Sequence, residues 1–276
     1  MEPDATSVRA TYAADQFAPL FATEDRHFWF RSRNRCIASA IRSLPDFEKI
    51  ADVLEVGCGT GVVLAELQRV FPQGRVVGMD LFAEGLDFAR KRFSGTLIQG
   101  DVFHHEFDRP FDLIGAFDVI EHLDDDDGIL HRFRQQLKPG GYLILTVPAH
   151  HYLWSYFDDF AHHRRRYAPA ELVRKLSAAG YDMIHATQFM AALYLPLWVK
   201  RKLLGERLVS RATPEAGRRR AAVESDLKIS PFMNWVMGMA VRPEPFLISR
   251  GWRLPFGTSL LAVARRPASP TNPINS

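Results

Sequence analysis

The sequence predicts an α/β fold, a mostly parallel sheet with helices on both faces. Three observations carry that prediction. Short apolar runs alternate with amphipathic stretches through most of the chain, the pattern of strand–helix–strand units. The run Val53-Leu54-Glu55-Val56 leads into Gly57-Cys58-Gly59-Thr60-Gly61, with glycine at alternate positions, so a strand turns tightly into a helix. Asp80, Asp101 and Asp118 stand where the following runs end, and ligands of such sheets bind beyond the carboxyl ends of the strands.

The elements follow in order. Residues 1–45 read as an N-terminal extension that holds His27-Phe28-Trp29-Phe30-Arg31-Ser32-Arg33 and then a helical face of Ile37, Ile41 and Leu44. Residues 46–189 read as the core. Strands are expected at Val53–Val56, Arg75–Met79, Thr96–Gln99, Phe111–Phe117, Tyr142–Val147 and Tyr181–Thr187, and a last one at Thr258–Ala264. Helices are expected at Val62–Phe71, closed by Pro72 and Gly74, at Ala83–Phe93, at Ile129–Leu137 and at Pro169–Gly180. Pro169 suits a first helical turn and Gly180 a helix end. Lys138-Pro139-Gly140-Gly141 reads as a turn, and Pro148 stops the strand after it.

Residues 190–252 do not fit the alternation and separate the last two strands by more than an ordinary connection. They carry the apolar patches Phe189–Val199 and Phe232–Val241, the first followed at once by Lys200-Arg201-Lys202. One reading is a helical cap over a substrate pocket, lined by Trp198 and Trp235. The other is an interfacial helix, in which an apolar face lies beside a basic cluster. Residues 253–276 hold the last strand and a tail that is expected to be disordered from about Pro267.

The length of 276 residues suits one sizeable core with an appended element. The formal charge of +3 and pI near 8.9 are mild, and no nucleic-acid partner is expected. Basic residues cluster at Arg164-Arg165-Arg166, Lys200-Arg201-Lys202 and Arg218-Arg219-Arg220, either as solvated faces or as contacts for anionic groups. Cys36 and Cys58 give no disulfide framework. The N-terminus lacks the pattern of a signal peptide, and no apolar stretch is long enough to span a bilayer. The expected location is cytoplasmic, with peripheral contact at the inner membrane face as an option. The oligomeric state is open.

A dinucleotide fingerprint needs G-x-G-x-x-G, and Val62 stands where its third spacing would be extended, leaving G-x-G-x-G. The nonapeptide Val53–Gly61 resembles the first motif of class I S-adenosylmethionine (SAM) methyltransferases. Residues from about Val53 to Val147 resemble that superfamily. Within it they resemble the ubiquinone/menaquinone-type subgroup, through the segment Phe111–Leu123 and through Leu137-Lys138-Pro139-Gly140-Gly141. The resemblance extends to His27–Arg33 and to the pattern from Trp154 to Tyr167, and gives no cover for Met190–Arg250. It implies a Rossmann-like seven-stranded sheet with its last strand antiparallel. It also implies SAM as cofactor and methyl transfer to a small-molecule or lipid-linked acceptor.

The residues can be matched to the parts of SAM. Gly57, Gly59 and Gly61 bring backbone close to the amino-acid end, and Glu55 meets its ammonium directly or through water. Asp80 accepts from the ribose hydroxyls, a contact that a NAD site also makes. Leu81 and Phe82 pack on the adenine. Asp101 accepts from its amino group, the Val102 amide donates to a ring nitrogen, and Phe117 joins the cofactor set. The alternative for each acid alone is a helix or turn cap. His122 and His163 are the candidate bases, with Asp158 placed to orient a histidine. Trp29, His151, Trp154 and Tyr167 are the candidate substrate contacts, with His150 and His162 in the same group. Trp29 with Arg31 and Arg33 reads either as a lid or as plain packing. Asp118, Glu121 and His122 have the spacing of one helical face, and in some quinone and RNA-end methyltransferases a similar group binds a divalent metal. The preferred reading is no metal, with His122 lining the acceptor side. Two other functions stay open, a SAM-binding partner protein without activity and a NAD-dependent oxidoreductase.

Overall fold

The computed structural model describes residues 17–196, 198–199 and 229–268. Its centre is a seven-stranded sheet in the order β3-β2-β1-β4-β5-β7-β6. The strands are β1 (Asp52–Val56), β2 (Arg75–Asp80), β3 (Thr96–Gln99), β4 (Phe111–Phe117), β5 (Leu137–Pro148), β6 (Asp182–Phe189) and β7 (Ser259–Arg265). The first five pair in parallel. β7 enters antiparallel between β5 and β6, pairing Ile144 with Val263 on one side and His185 with Val263 on the other. The order reverses between β1 and β4, so the crevice beyond their carboxyl ends is the topological switch point.

Helices cover both faces. All five residues of β1 are buried, as a strand covered on both sides requires. Val53 faces the side covered by α2 (Phe28–Arg42) and α3 (Val62–Val70), through Ile37, Ile41, Leu64 and Leu67. Leu54 faces the side covered by α5 (Asp126–Gln136) and α7 (Pro169–Ala178), through Ile129, Phe133, Leu172 and Leu176. Between them in sequence lie α4 (Ala83–Ala89) and the short α6 (Tyr156–Phe160), and a further helix, α1 (Phe17–Glu24), precedes α2.

Three boundaries differ most from the sequence expectation. α5 begins at Asp126, ahead of its apolar face, because Asp125 Oδ1 accepts from the Gly128 amide at 2.8 Å and acids fill the first turn. Lys138-Pro139-Gly140-Gly141 belongs to β5 as an irregularity in its pairing with β4. Gly140 there has φ of +82°. α4 ends at Ala89, four residues before Phe93.

After β6 the chain is helical over residues 191–196, where Glu244 accepts from the Met190 and Ala191 amides at 2.7 and 2.9 Å. Two later helices, α8 (Pro231–Ala240) and α9 (Glu244–Ser249), lead toward β7. Buried Val241 and Ile248 join them to the core on the α2 side. Lys200–Lys202, Arg218–Arg220 and the tail beyond residue 268 lie outside the described residues. Among the described residues no helix is long and apolar enough to cross a membrane. Cys36 and Cys58 are buried free thiols.

Candidate functional site

The loop after β1 separates the roles of its glycines. Gly57, Gly59 and Gly61 all have positive φ, at +68°, +49° and +77°. A Cβ on Gly57 would stand 2.5 Å from Val119 Cγ2, and one on Gly61 would stand 2.9 Å from the Ala89 backbone. Packing demands both glycines. Among the described residues a Cβ on Gly59 would meet only Phe17, at 3.9 Å, so Gly59 is the position that leaves room for a ligand. α1 lies over the loop. Its Glu24 accepts from the Thr60 hydroxyl and pairs with Arg92 at 2.6 Å. The Phe17 and Phe82 rings lie 6.1 Å apart.

The acids at the strand ends meet this loop. Asp80 Oδ2 accepts from the Gly59 amide at 2.7 Å and Oδ1 from the Phe82 amide at 2.9 Å. Burial pushes the Asp80 carboxyl up, and these amides offset part of the shift. A carboxylate has about four lone-pair sites, so it keeps acceptor capacity. Glu55 is 2 % exposed, and among the described residues its Oε2 has no hydrogen-bond partner. Burial pushes its carboxyl well up, while the Arg33 charge pulls it down. A bare carboxylate oxygen buried just before a glycine with room for a ligand fits the ammonium of an amino acid. Asp101 makes cap contacts, from the Phe103 amide at 2.9 Å and with His104 Nδ1 at 3.0 Å. The Val102 side chain is buried, and its carbonyl accepts from Arg132 at 3.3 Å. Leu81 is partly exposed. Phe117 is buried against Gly115.

Beyond β4 the structure rearranges the set expected from spacing. Asp118 has φ of +57° and turns its carboxylate to Arg33, at 2.6 Å, and to the Thr146 hydroxyl, at 3.2 Å. Residues Ile120–His122 form a single 3-10 turn. Asp118 therefore does not share a ligand face with Glu121 and His122. His163 takes that place: Glu121, His122 and His163 each offer one ligand atom within 4.8 Å of the others. Glu121 is fully buried, and neither of its carboxylate oxygens has a hydrogen-bond partner among the described residues. Burial pushes its carboxyl up, and Asp118 acts in the same direction. Burial, helped by the His163 charge, pulls the His122 imidazole down to about 3. It is therefore neutral at physiological pH and a weak base.

His163 is held from behind. Its Nδ1 lies 2.9 Å from Asp158 Oδ1, and its ring centroid lies 4.8 Å from that of His122. Asp158 is fully buried and takes Arg166 on both oxygens, at 2.7 and 3.0 Å, with the Ser155 amide at 2.7 Å. The Arg164 amide donates to the Glu121 carbonyl at 2.8 Å and joins the two segments.

The rest of the expected acceptor wall is divided. Tyr167 is fully buried, and its hydroxyl donates to Asp126 at 2.8 Å, so it is a core residue rather than a substrate contact. His151 points to Glu171 at 2.9 Å, on the cap of α7. His150 bonds Gln188 at 2.6 Å. The Trp154 indole donates to Asp159 at 2.9 Å. Each of these residues is hydrogen-bonded to a neighbour of its own. The arginine triplet is paired with acids: Arg164, exposed, with Asp124, and Arg165 and Arg166, partly buried, with Asp126 and Asp158. It is not a free anion surface.

Trp29 is partly buried, edge-on to Phe30, with the Arg33 guanidinium 5.0 Å over its ring. Arg33, 7 % exposed, is the central charge that the sequence reading gave only a lid role. A signal was available. Arg33 precedes Ile37 and Ile41 at helical spacing, so it lies on the apolar face of α2. A charge on that face needs a buried partner.

A family model described as a methyltransferase domain, Methyltransf_23, matches residues 21–186, more than half of the chain. Trans-aconitate 2-methyltransferase of Deinococcus radiodurans is 33 % identical over 142 residues, 51 % of this chain and 52 % of that protein. Ubiquinone biosynthesis O-methyltransferase of Proteus mirabilis is 31 % identical over 34 % of this chain and 41 % of its own length. Malonyl-[acyl-carrier protein] O-methyltransferase of Halalkalibacterium halodurans is 30 % identical over 39 % of this chain and 43 % of its own length. The chain thus spans about half the length, or less, of these curated relatives. Three different acceptors appear in their names at similar identity, so the quinone subgroup is not singled out. A chain in the complex between the Haloferax volcanii Trm112 methyltransferase activator and a methyltransferase shares the fold. Its TM-score is 0.56 at 18 % identity, over 94 % of this chain and 96 % of that one. The switch-point crevice, the glycine loop and the matched family model agree, and the chain belongs to the Methyltransf_23 methyltransferase-domain family of the class I SAM-dependent methyltransferases.

Proposed function

We propose that this chain catalyses methyl transfer from SAM to an oxygen nucleophile on a small-molecule or carrier-linked acceptor. The observation that supports this best is the adjacency of two features. The glycine-loop site of Glu55, Gly59 and Asp80 and the Glu121–His122–His163 group, with Glu121 buried and the histidines partly so, are bridged by Arg33 and Asp118. Two of the three relatives named above carry O-methyltransferase in their names, which favours oxygen.

When bound, SAM supplies an electrophilic methyl on a sulfonium that leaves readily. The chain's residues then position and desolvate. Glu55 receives the ammonium of the amino-acid end, and Arg33 receives its carboxylate in place of part of its bond to Asp118. Asp80 accepts from the ribose, Asp101 and Val102 address the adenine edge, and Leu81 and Phe117 supply apolar packing. Asp158 engages His163 through Nδ1, which leaves Nε2 to take the acceptor's proton. His122, neutral, lines the acceptor side. A second reading is supported by the two bare oxygens of Glu121 within reach of two imidazoles: a divalent cation there would polarise the acceptor oxygen. Loss of turnover with a chelator, restored by Mg, would favour that reading.

The test is incubation with methyl-labelled SAM and fractionated cell extract, followed by mass spectrometry. The expected result is a labelled product together with S-adenosylhomocysteine. Tight SAM binding with no turnover in any fraction would favour a non-catalytic partner protein.

A further inference from the structure

Helix α8 packs Met237 on the core but leaves much of its apolar sequence exposed. Its sequence is almost wholly apolar, yet none of its residues is buried. Its one amide side chain, Asn234, faces inward: Oδ1 accepts from the Phe28 amide at 2.7 Å and Nδ2 donates to the Arg26 carbonyl at 3.0 Å. Phe232, Trp235 and Met239 face solvent at 71, 63 and 45 % exposure, and Phe246 on α9 stands beside them at 59 %. Buried Val241 and Ile248 fix the two helices on the core.

Beside these residues lies a groove of about 770 Å³ between α2 and the α8–α9 pair. Arg31, Arg35 and Arg42 line it from one face of α2, and Arg242 lines it from the other side. Among the described residues none of the four makes an ion pair. The one acid in the lining, Glu66, is already held by Arg69 at 3.0 Å. One face therefore combines fixed aromatic and thioether side chains with four arginines that have no acidic partner among the described residues.

We propose that this face docks on an anionic bilayer surface. Phe232, Trp235, Met239 and Phe246 enter the boundary between headgroups and acyl chains, and the arginines meet lipid phosphates. Charge of one sign beside aromatic side chains matches a surface that is anionic above and apolar below. Tryptophan and long arginine stems suit that depth. The docking is peripheral, and it holds whether or not the methyl-transfer reading does.

Vesicle flotation with the whole chain tests it, using phosphatidylcholine vesicles with and without phosphatidylglycerol across a salt series. Wild type should float with the anionic vesicles at low salt and lose about tenfold or more of its binding at high salt. The variants Phe232→Ser with Trp235→Ser, and Arg35→Gln with Arg42→Gln and Arg242→Gln, should each weaken flotation by about tenfold. Calorimetric SAM affinity should stay at the wild-type value in both. Three results would overturn the proposal. One is no flotation of wild type at any salt. Another is flotation that survives both sets of substitutions. The third is a wild-type dimer that Trp235→Ser dissociates while no vesicle binding is seen, which would assign the face to a second copy or another protein. The wild-type salt series decides even where a variant fails to fold.

Discussion

Asp158 ties His163 to Arg166: its Oδ1 lies 2.9 Å from His163 Nδ1 and accepts from Arg166 Nε at 2.7 Å. The carboxylate therefore fixes which ring nitrogen faces the pocket, and the arginine fixes the carboxylate. Asp158→Asn and His163→Ala should each lower turnover by about tenfold or more, with SAM affinity near wild type. Single-turnover rates and calorimetry read the two effects separately. Full rates in a folded His163→Ala protein would leave positioning alone to carry the reaction.

The same carboxylate gives an acid limit. Burial pushes Asp158 up, but the hydrogen bonds from His163 and Arg166 outweigh it and hold the group at about 2, below its ordinary value of 3.8. A depressed carboxyl stabilises the fold fully above its unfolded value and loses that contribution as pH falls toward its folded value. About 2 kcal/mol should therefore drain away between about pH 4 and pH 2. Asp158→Asn should have a lower Tm than wild type at neutral pH. The gap should narrow as pH falls through that window.

His122 should stay neutral far below the ordinary histidine range, because burial holds it at about 3. Imidazole NMR signals of His122 should show no protonation at about pH 5, where an exposed histidine is mostly charged. A midpoint near 6.5 would contradict the neutral role.

Arg33 joins α2 to the end of β4 through Asp118 at 2.6 Å. Arg33→Gln should weaken SAM binding by about tenfold or more, the worth of a charged hydrogen bond, and should also destabilise the fold by leaving Asp118 unpaired. The double variant Arg33→Gln with Asp118→Asn should recover stability but not SAM affinity. Recovery of both would make Arg33 a structural residue only.

The loop glycines should separate in the same way. Gly57→Ala and Gly61→Ala place a Cβ 2.5 Å from Val119 and 2.9 Å from Ala89. They should cost about 2 kcal/mol or more of stability. Gly59→Ala meets the same backbone strain, at φ +49°, but among the described residues its Cβ has only Phe17 within 4 Å, at 3.9 Å, so it should cost less stability than the other two and should weaken SAM binding besides. Thermal melts and calorimetry on the three variants distinguish the roles.

The positions of the strands along the chain were legible because strand patterning is local. Thr96–Gln99 and Phe111–Phe117 have the bounds their apolar runs predict, and the antiparallel β7 follows from the resemblance. The ends of α5 and β5 were not, since a cap at Asp125 and an irregular strand at Gly140 depend on partners distant in the fold or on turn geometry. In the site, Glu55 and Asp80 could be named from their place at strand ends. The fate of Asp118 could not, because its partner Arg33 lies 85 residues away. Tyr167 looked like a pocket residue beside His163, but alternation along a loop does not say which side chains turn inward. Its hydroxyl meets buried Asp126 on α5, a contact that only the packed fold supplies.

The central claim is that the crevice formed by Glu55, Gly59 and Asp80 holds SAM. Calorimetric titration of SAM into wild type and Asp80→Ala tests it most directly. The account predicts saturable binding to wild type and about tenfold or greater weakening in the variant, whose carboxylate no longer accepts from the ribose or braces the Gly59 amide. No binding heat with wild type, or equal affinity in a folded Asp80→Ala protein, would contradict it.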